Sequence, residues 1–501
     1  MRLMTDPGAT AVMPAPANPF AIALTSSGRE SPRAMASRTL LACGATGVAG
    51  AGLLVGHRIG LGAALVVLAV WLPAIPALVR RRAVGDLVIA GLSIALVVMV
   101  AVRDAGWVVG LCLATAAWAG AVAVTSARST PAVMLSVVGW AGGVVRAARW
   151  TGRSAGPLVA SRRSQVLVAV RSVAVTVVLL VVFGTLFASA DAIFASYLPR
   201  VDLTLLPAQL IVGILVALAS VTLVHLALAP PRWSDISATT RRPARLGEWL
   251  LPVAALDAMV LAFVLVQVGA LLGGHLYVLE TAGLTYAEYA RQGFAQLVVA
   301  TALTLVVVAF AARRAPRTSE RDRQLSRAAL GALCVGTLGV VVSALRRMDL
   351  YVEAFGLTRL RLFVVLLEVA MAAVLVLVMV AGVRWRGRWL PRAVVQVVAM
   401  AVLALALVNP DAQILRYNTT ADLRPALDVT YLRDLSADAV PAMDGLPEPL
   451  RSCLLARVHA DPPEGLADWN LGRDQAARVV AAAGLGTGGG SGCAEDGIRD
   501  Y

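Results

Sequence analysis

Three ionisable residues sit inside long apolar runs, where the cost of inserting a charge into a bilayer requires each to be paired, wet or close to an interface. Arg171 lies in "QVLVAVRSVAVTVVLLVVF" and Asp257 in "EWLLPVAALDAMVLAFVLVQ". They fall roughly 9 and 12 Å in from the same end of their runs at the helical rise. An Arg171–Asp257 ion pair is a candidate; the arrangement expected ahead of it has Arg171 snorkelling to the headgroups while Asp257 caps a buried donor. Glu368, in "RLFVVLLEVAMAAVLVLVM", lies roughly 12 Å from the opposite end by the same rise, and its expected cation is Arg346 or Arg347 on the preceding run. Carboxyls so placed are what an ion-coupled transporter titrates. Gln267 and Gln396 add neutral groups suited to hydrogen bonds between helices.

A second polar set lies between the apolar runs. "LYVLETAGLTYAEYARQGF" from Leu276 and "LYVEAFGLTRLRLFV" from Leu350 share LYV, an acid (Glu280, Glu353), then Gly-Leu-Thr before the next run. Thr285 with Glu288 three residues on fits a capping box, in which hydroxyl and carboxylate satisfy the free N–H groups of a helix start reciprocally. Thr358 suits the same role, with Arg361 in place of the acid. Two hairpins of the same orientation, 247–312 and 328–383, form a candidate internal repeat. Capping leaves the charges of Glu280, Glu288, Arg291, Arg346, Arg347, Glu353 and Arg361 as candidates for binding, or for catalysis on a lipid-linked substrate.

The elements that must position these groups are transmembrane helices. Of 501 residues 59% are hydrophobic and 15% charged, with a mean hydropathy of +0.78, which excludes an ordinary soluble globular protein. The fold class expected is all-α, a polytopic helix bundle. A span takes about 20 apolar residues, and eleven candidates follow: 39–56, 59–79, 86–102, 105–125, 165–187, 205–229, 247–273, 293–312, 328–346, 360–383 and 391–408. Residues 1–37, rich in Pro, Ala, Ser and Gly, are expected to lack fixed structure. "PAVMLSVVGWAGGVVRAARW" (131–150) is too interrupted to span and suits a helix lying in the interface, which groups 38–164 as N-terminal spans plus that helix.

The net charge of +14 is unevenly spread. From residue 409 onward eight Arg face fourteen acids, so the positive excess lies among the spans. Arg clusters at 232–245, 313–327 and 384–392 hold fourteen Arg, whereas the alternate side (Arg200, Arg291, Arg346, Arg347, Arg359, Arg361) holds six. Such asymmetry orients a protein with its Arg-rich loops in the cytoplasm. It puts the N-terminus inside and the acidic C-terminal region outside, and it argues against nucleic acid as a partner. Trp233, Trp249, Trp385 and Trp389 are expected to form an aromatic belt at the Arg-rich ends.

After the last span the composition becomes that of a soluble domain, with short helices broken at prolines. Residues 409–485 are expected to form a small helical domain, followed by a flexible tail at 486–501. Ser436 is a candidate N-cap, and "DWNLGRDQAARVVAAAGLG" a helix ending at glycine. Alone such a domain buries little core, so it is expected to dock on the membrane domain or a partner. The five cysteines show no metal-ligand spacing; Cys453 and Cys493 are expected as free thiols, with a disulfide between them as the alternative if the C-terminal region faces an oxidising compartment. No phosphate-binding, zinc-protease or EF-hand motif is present, so no cofactor or metal is expected.

"FASADAIFA" (187–195), "GLTYAEYARQGF", "LYVEAFGLTRLRLF", "NPDAQILRYN" and "LSADAVPAM" together resemble a family of bacterial polytopic membrane proteins known only as a domain of unknown function. The resemblance covers most of the chain from about residue 165 and implies a multi-span bundle with a C-terminal extramembrane segment, with no activity, cofactor or catalytic residue to carry over. The function expected is non-enzymatic, regulatory or envelope-associated, with outer loops and the C-terminal domain binding a protein or lipid partner. Ion-coupled transport and intramembrane catalysis are the alternatives.

Overall fold

The computed structural model describes residues 19–25, 35–161, 163–191, 203–233, 246–282, 293–315, 319–385, 387–421, 423, 427–456, 458 and 462–484. Among them every regular element is a helix. Eight are long and apolar enough to cross a membrane: Val84–Val102, Gly106–Thr125, Leu206–Leu228, Glu248–Gly269 within Leu246–Ala282, Phe294–Arg314, Glu320–Phe355, Arg359–Val383 and Leu390–Val408.

The other three expected spans take different forms. The first is the helix Ser37–Leu54. The second is divided into Leu61–Trp71 and Ile75–Arg80, because Pro73 brings no N–H to the helical ladder and disfavours helical geometry in the residue before it. The third is Arg163–Ala190, whose apolar stretch is confined to Ala174–Ala190.

Small residues set the closest helix contacts. A methyl group at Gly47 would fall 2.6 Å from the Gly213 carbonyl oxygen, so Ser37–Leu54 and Leu206–Leu228 pack backbone to backbone. These two join Leu61–Trp71, Val84–Val102, Gly106–Thr125 and Leu390–Val408 in a first bundle, cored by Trp71, Ile89, Val122 and Leu226. A second bundle, cored by Trp249, Leu333 and Leu375, contains Leu246–Ala282, Phe294–Arg314, Glu320–Phe355 and Arg359–Val383. In it Gly336 meets Val260 and Gly339 meets Val264, so Leu246–Ala282 and Glu320–Phe355 run parallel, as two hairpins of like orientation require. Gln267 accepts from Ser343 Oγ at 2.8 Å and from Arg347 Nη2 at 2.9 Å, the interhelical bonding expected of it.

At the Arg-rich end, basic side chains close helix ends. The fully buried Asp86 is paired with Arg392 and accepts from Ser126 Oγ at 2.7 Å. Arg392 Nε also donates to the Ala127 carbonyl at 2.9 Å, and Arg81 donates to the carbonyls of Val124 and Leu226. These carbonyls lie at or beyond helix C-termini, where a cation offsets the dipole as well as the free acceptor. Trp233 donates to the Thr125 carbonyl at 2.8 Å and Trp249 is buried. Of the four expected belt residues only Trp389, 40% exposed, stands out from the packing.

The stretch 131–150 forms Thr130–Met134 and the longer Ser136–Ser161. A stripe of Ser136, Gly139, Gly143, Ala147, Trp150 and Ser154 faces the bundle: Gly139 meets Trp233, Gly143 meets Leu226, Trp150 lies 5.4 Å from the His225 ring, and Ser154 accepts the Met35 N–H at 3.0 Å. Leu226, His225 and Trp233 all lie at or just beyond the C-terminal end of Leu206–Leu228, against which this helix packs. Part of the tail expected to lack structure is packed here as well. Pro19–Thr25 buries Ala23, and the Leu24 carbonyl accepts from Arg146 at 2.8 Å.

Candidate functional site

The opposite end holds the densest polar assembly among the described residues. In "NPDAQILRYN", Asn409 adopts left-handed backbone (φ 57°) and accepts the Ala412 N–H at 3.3 Å. Pro410 follows at the first helical position, whose N–H would have no helical partner in any case. Asp411 thus enters the first turn of Pro410–Thr420, immediately past the last span, where the helix dipole favours an acid.

Asp411 is fully buried and surrounded by donors. Arg359 grips it with Nε to Oδ1 at 3.0 Å and Nη2 to Oδ2 at 2.5 Å, the Ser436 N–H donates at 2.9 Å, and the Trp107 indole N–H at 3.3 Å. Burial pushes the Asp411 carboxyl up, but the Arg359 and Ser436 donors outweigh it and hold the carboxyl below its ordinary range. Arg359 also donates to the Asp434 carbonyl, and its backbone N–H to Tyr431 Oη at 2.9 Å. Ser436 does not cap a helix with its side chain, as expected of it; its N–H is committed to Asp411.

Four further side chains fasten the C-terminal domain to the helices or the segments that join them. Asp438 Oδ2 accepts the N–H groups of Asp104 and Ala105 at 2.8 Å each, capping Gly106–Thr125 from a distant part of the sequence. Burial pushes the Asp438 carboxyl up against the pull of these two donors. Asn470 donates to the carbonyls of Val100 and Arg103 at 3.0 and 2.9 Å, closing Val84–Val102. Arg473 reaches Asp104 Oδ1 at 2.6 Å and the Ile59 carbonyl at 2.9 Å. Asp468 adds a bond from the Arg58 N–H at 2.6 Å and a contact with His57 at 3.1 Å; both hold its carboxyl below the ordinary range. Asp438→Ala is expected to lower apparent thermal stability by about 1–2 kcal/mol, the cost of a lost N-cap, measured by unfolding of the full chain in detergent.

The expected docking on the membrane domain is therefore realised, through a domain with its own core of Ile414, Leu415, Leu432, Met443 and Leu454. Cys453 is disulfide-bonded, a correction to the free thiol expected there; Cys493 lies outside the described residues. Cys43, Cys112 and Cys334 are free and buried.

The sequence-selected residues do not form one site. Thr358 caps Arg359–Val383 by accepting the Arg361 N–H at 3.3 Å. Gly356 (φ 80°) leaves no room for a side chain, since a methyl there would fall 2.7 Å from Asn418 Oδ1. Arg361 Nη1 donates to the carbonyls of Phe355 and Gly356, and its guanidinium stacks 4.1 Å from the Tyr351 ring centre. It terminates the preceding helix while the following one begins. Arg346 pairs with Asp349 at 2.6 Å on the surface, and Glu353 is exposed. Glu288, Arg291, Thr285 and the side chain of Glu280 lie outside the described residues.

Within the spans the candidate pairs are absent. Arg171 is exposed and Asp257 half-buried with no hydrogen bond between them, and Asp257 Oδ1 is buried without a partner. Glu368 is fully buried in Arg359–Val383, and neither carboxyl oxygen has a hydrogen-bond partner. Arg346 and Arg347, its expected cations, are turned to Asp349 and Gln267.

Sequence reasoning treated Arg359 as an orienting charge and Asp411 as part of a soluble segment. The signal available was Asn-Pro-Asp directly after the last span, a helix start that fixes an acid at the membrane surface.

A family model described as "Domain of unknown function (DUF4153)" matches residues 90–446. The chain belongs to this family. No curated protein and no solved structure matches it. The DUF4153 stretch contains Trp107, Arg359, Glu368, Asp411, Ser436 and Asp438, whereas Asp86, Asn470 and Arg473 lie beyond its bounds. With several membrane-length apolar helices, this DUF4153 chain is an integral membrane protein, in keeping with the resemblance carried by its motifs.

Proposed function

We propose that this protein is a non-enzymatic, multi-pass protein of a bacterial cytoplasmic membrane that recognises a partner through a rigidly mounted extracytoplasmic domain. The observation that carries the reading is the pairing of part-exposed Arg359 with fully buried Asp411, together with the Ser436 and Trp107 donors. The converging polar groups are occupied with one another, so they fix the domain on the helix ends instead of presenting a reactive centre. Fixed orientation removes the ordering cost of binding from the surface left exposed. The Arg asymmetry supports a cytoplasmic N-terminus and an outer C-terminus, and the bonded Cys453 suits an oxidising compartment.

The test is crosslinking in native membranes followed by purification of the full chain. A defined protein or lipid should be recovered with the wild-type chain and lost in Arg359→Ala, whose domain is released. Recovery of the same species from both chains, or of nothing specific from either, sinks the reading. Orientation is read separately: a cysteine introduced at exposed Glu353 should react with an impermeant maleimide added outside intact cells.

One observation favours a second reading, ion-coupled transport. Glu368 holds a carboxyl at span depth with no cation and no donor, the position of a proton-carrying group. Proton flux into liposomes holding the purified chain, abolished by Glu368→Gln, would establish transport in place of recognition.

A further inference from the structure

Among the described residues the main packing contact of the Arg163–Ala190 helix is with Ser136–Ser161 and not with a span. Val178, Leu179, Leu180 and Val181, which at about 100° per residue cover its whole circumference, are 60, 50, 69 and 58% exposed. An apolar helix facing lipid on all sides needs no explanation, but this one carries Arg171. The Thr176 hydroxyl, about a turn and a half from it, is used within the helix, donating to the Ser172 carbonyl at 2.9 Å. Arg171 is exposed and, among the described residues, has no carboxylate or other acceptor.

The complementary group lies on Leu246–Ala282. Asp257 has no hydrogen-bond partner among the described residues, its Oδ1 is buried, and it sits at the edge of an outward face where Leu251, Met259, Leu261 and Leu265 are 57–74% exposed. Both residues lie roughly two to three turns from the Arg-rich ends of their helices. A guanidinium and a carboxylate at comparable distances from the Arg-rich ends of their helices, neither with a hydrogen-bond partner among the described residues, are complementary in charge, yet one chain does not join them.

We propose that two copies of this chain associate through the Arg163–Ala190 helix of each and the outward face of Leu246–Ala282 of the other, pairing Arg171 with Asp257 across the contact. A twofold axis makes the pair twice and closes the assembly, since the same two surfaces serve both copies. Small residues at Gly184 and Ala188, four apart on the helix, allow the close approach that helix association in lipid uses.

The experiment is the particle mass of the full chain in nanodiscs of native lipid, by light scattering across a dilution series. Twice the 52.0 kDa chain mass is expected for wild type. Arg171→Asp or Asp257→Arg alone should weaken self-association by about tenfold or more, and both changes in one chain should restore it to within about threefold, a recovery characteristic of a direct charge pair. Should a reversed charge prevent folding, differently tagged Arg171→Cys and Asp257→Cys chains are co-expressed and treated with a short bismaleimide; a crosslinked heterodimer is expected. A monomer at every concentration, self-association indifferent to the single reversals, or no crosslink between the two tagged chains each overturns the proposal.

Discussion

Arg359→Ala is expected to lower the apparent stability of the folded chain by up to about 3 kcal/mol, the low end of the range for breaking a buried ion pair, because Arg359 is itself part exposed. The loss should be large because Asp411 is fully buried, so its charge would stay desolvated with only the Ser436 and Trp107 donors left. Asp411→Asn keeps the shape and leaves Arg359, part exposed, with water and the Asp434 carbonyl; the expected cost is smaller, about 1–2 kcal/mol. The double change Arg359→Met with Asp411→Leu removes both charges and should be less damaging than Arg359→Ala alone. Thermal unfolding in detergent measures all three, and limited proteolysis reports release of the C-terminal domain. Because the Asp411 carboxyl is held below its ordinary range, its contribution is present at neutral pH and is lost as the pH falls through the lowered folded value, below about pH 4. That acid loss should be absent in the Asp411→Asn chain; equal acid sensitivity in both would show that the pair does not hold the domain.

Glu368→Leu is expected to stabilise the chain. A buried carboxyl without donors or acceptors forgoes about 1–3 kcal/mol of hydrogen bonding, and an apolar side chain of similar volume removes that penalty without opening a cavity. An increase of about 1–3 kcal/mol in apparent stability should follow, accompanied by loss of whatever activity the full chain supports, the pattern expected where a destabilising group is kept for function. Glu368→Gln, which retains an unsatisfied polar group, should gain little. If Glu368→Leu destabilises instead, Glu368 is part of the packing and the transport reading loses its only distinguishing observation.

The contrast between Glu368 and Asp411 shows where the sequence was legible. Glu368 lies within an apolar helix and Asp411 in the first turn after one, positions that hydropathy alone assigns. Arg346 or Arg347, reaching inward from the preceding run, is the cation the sequence offers Glu368, yet these side chains point to Asp349 and Gln267. Asp411 was passed over because its partner lies 52 residues away on another helix. In the loop at Leu350, Gly356 and Thr358 do what turn and capping chemistry require, since both act within a few residues of themselves. Arg361, which the sequence left unexplained, serves the carbonyls of Phe355 and Gly356 and the face of Tyr351.

Apolar runs, the Arg asymmetry, helix-starting residues and the change of composition at residue 409 were determined by the sequence itself, because each depends on local chemistry or on transfer into lipid. The tertiary structure alone decided which charges meet. Asp86 and Arg392 are 306 residues apart, and Asp438 caps a helix 333 residues before it. Such pairings depend on which helices become neighbours and how each is rotated about its axis, and depth along a span fixes neither.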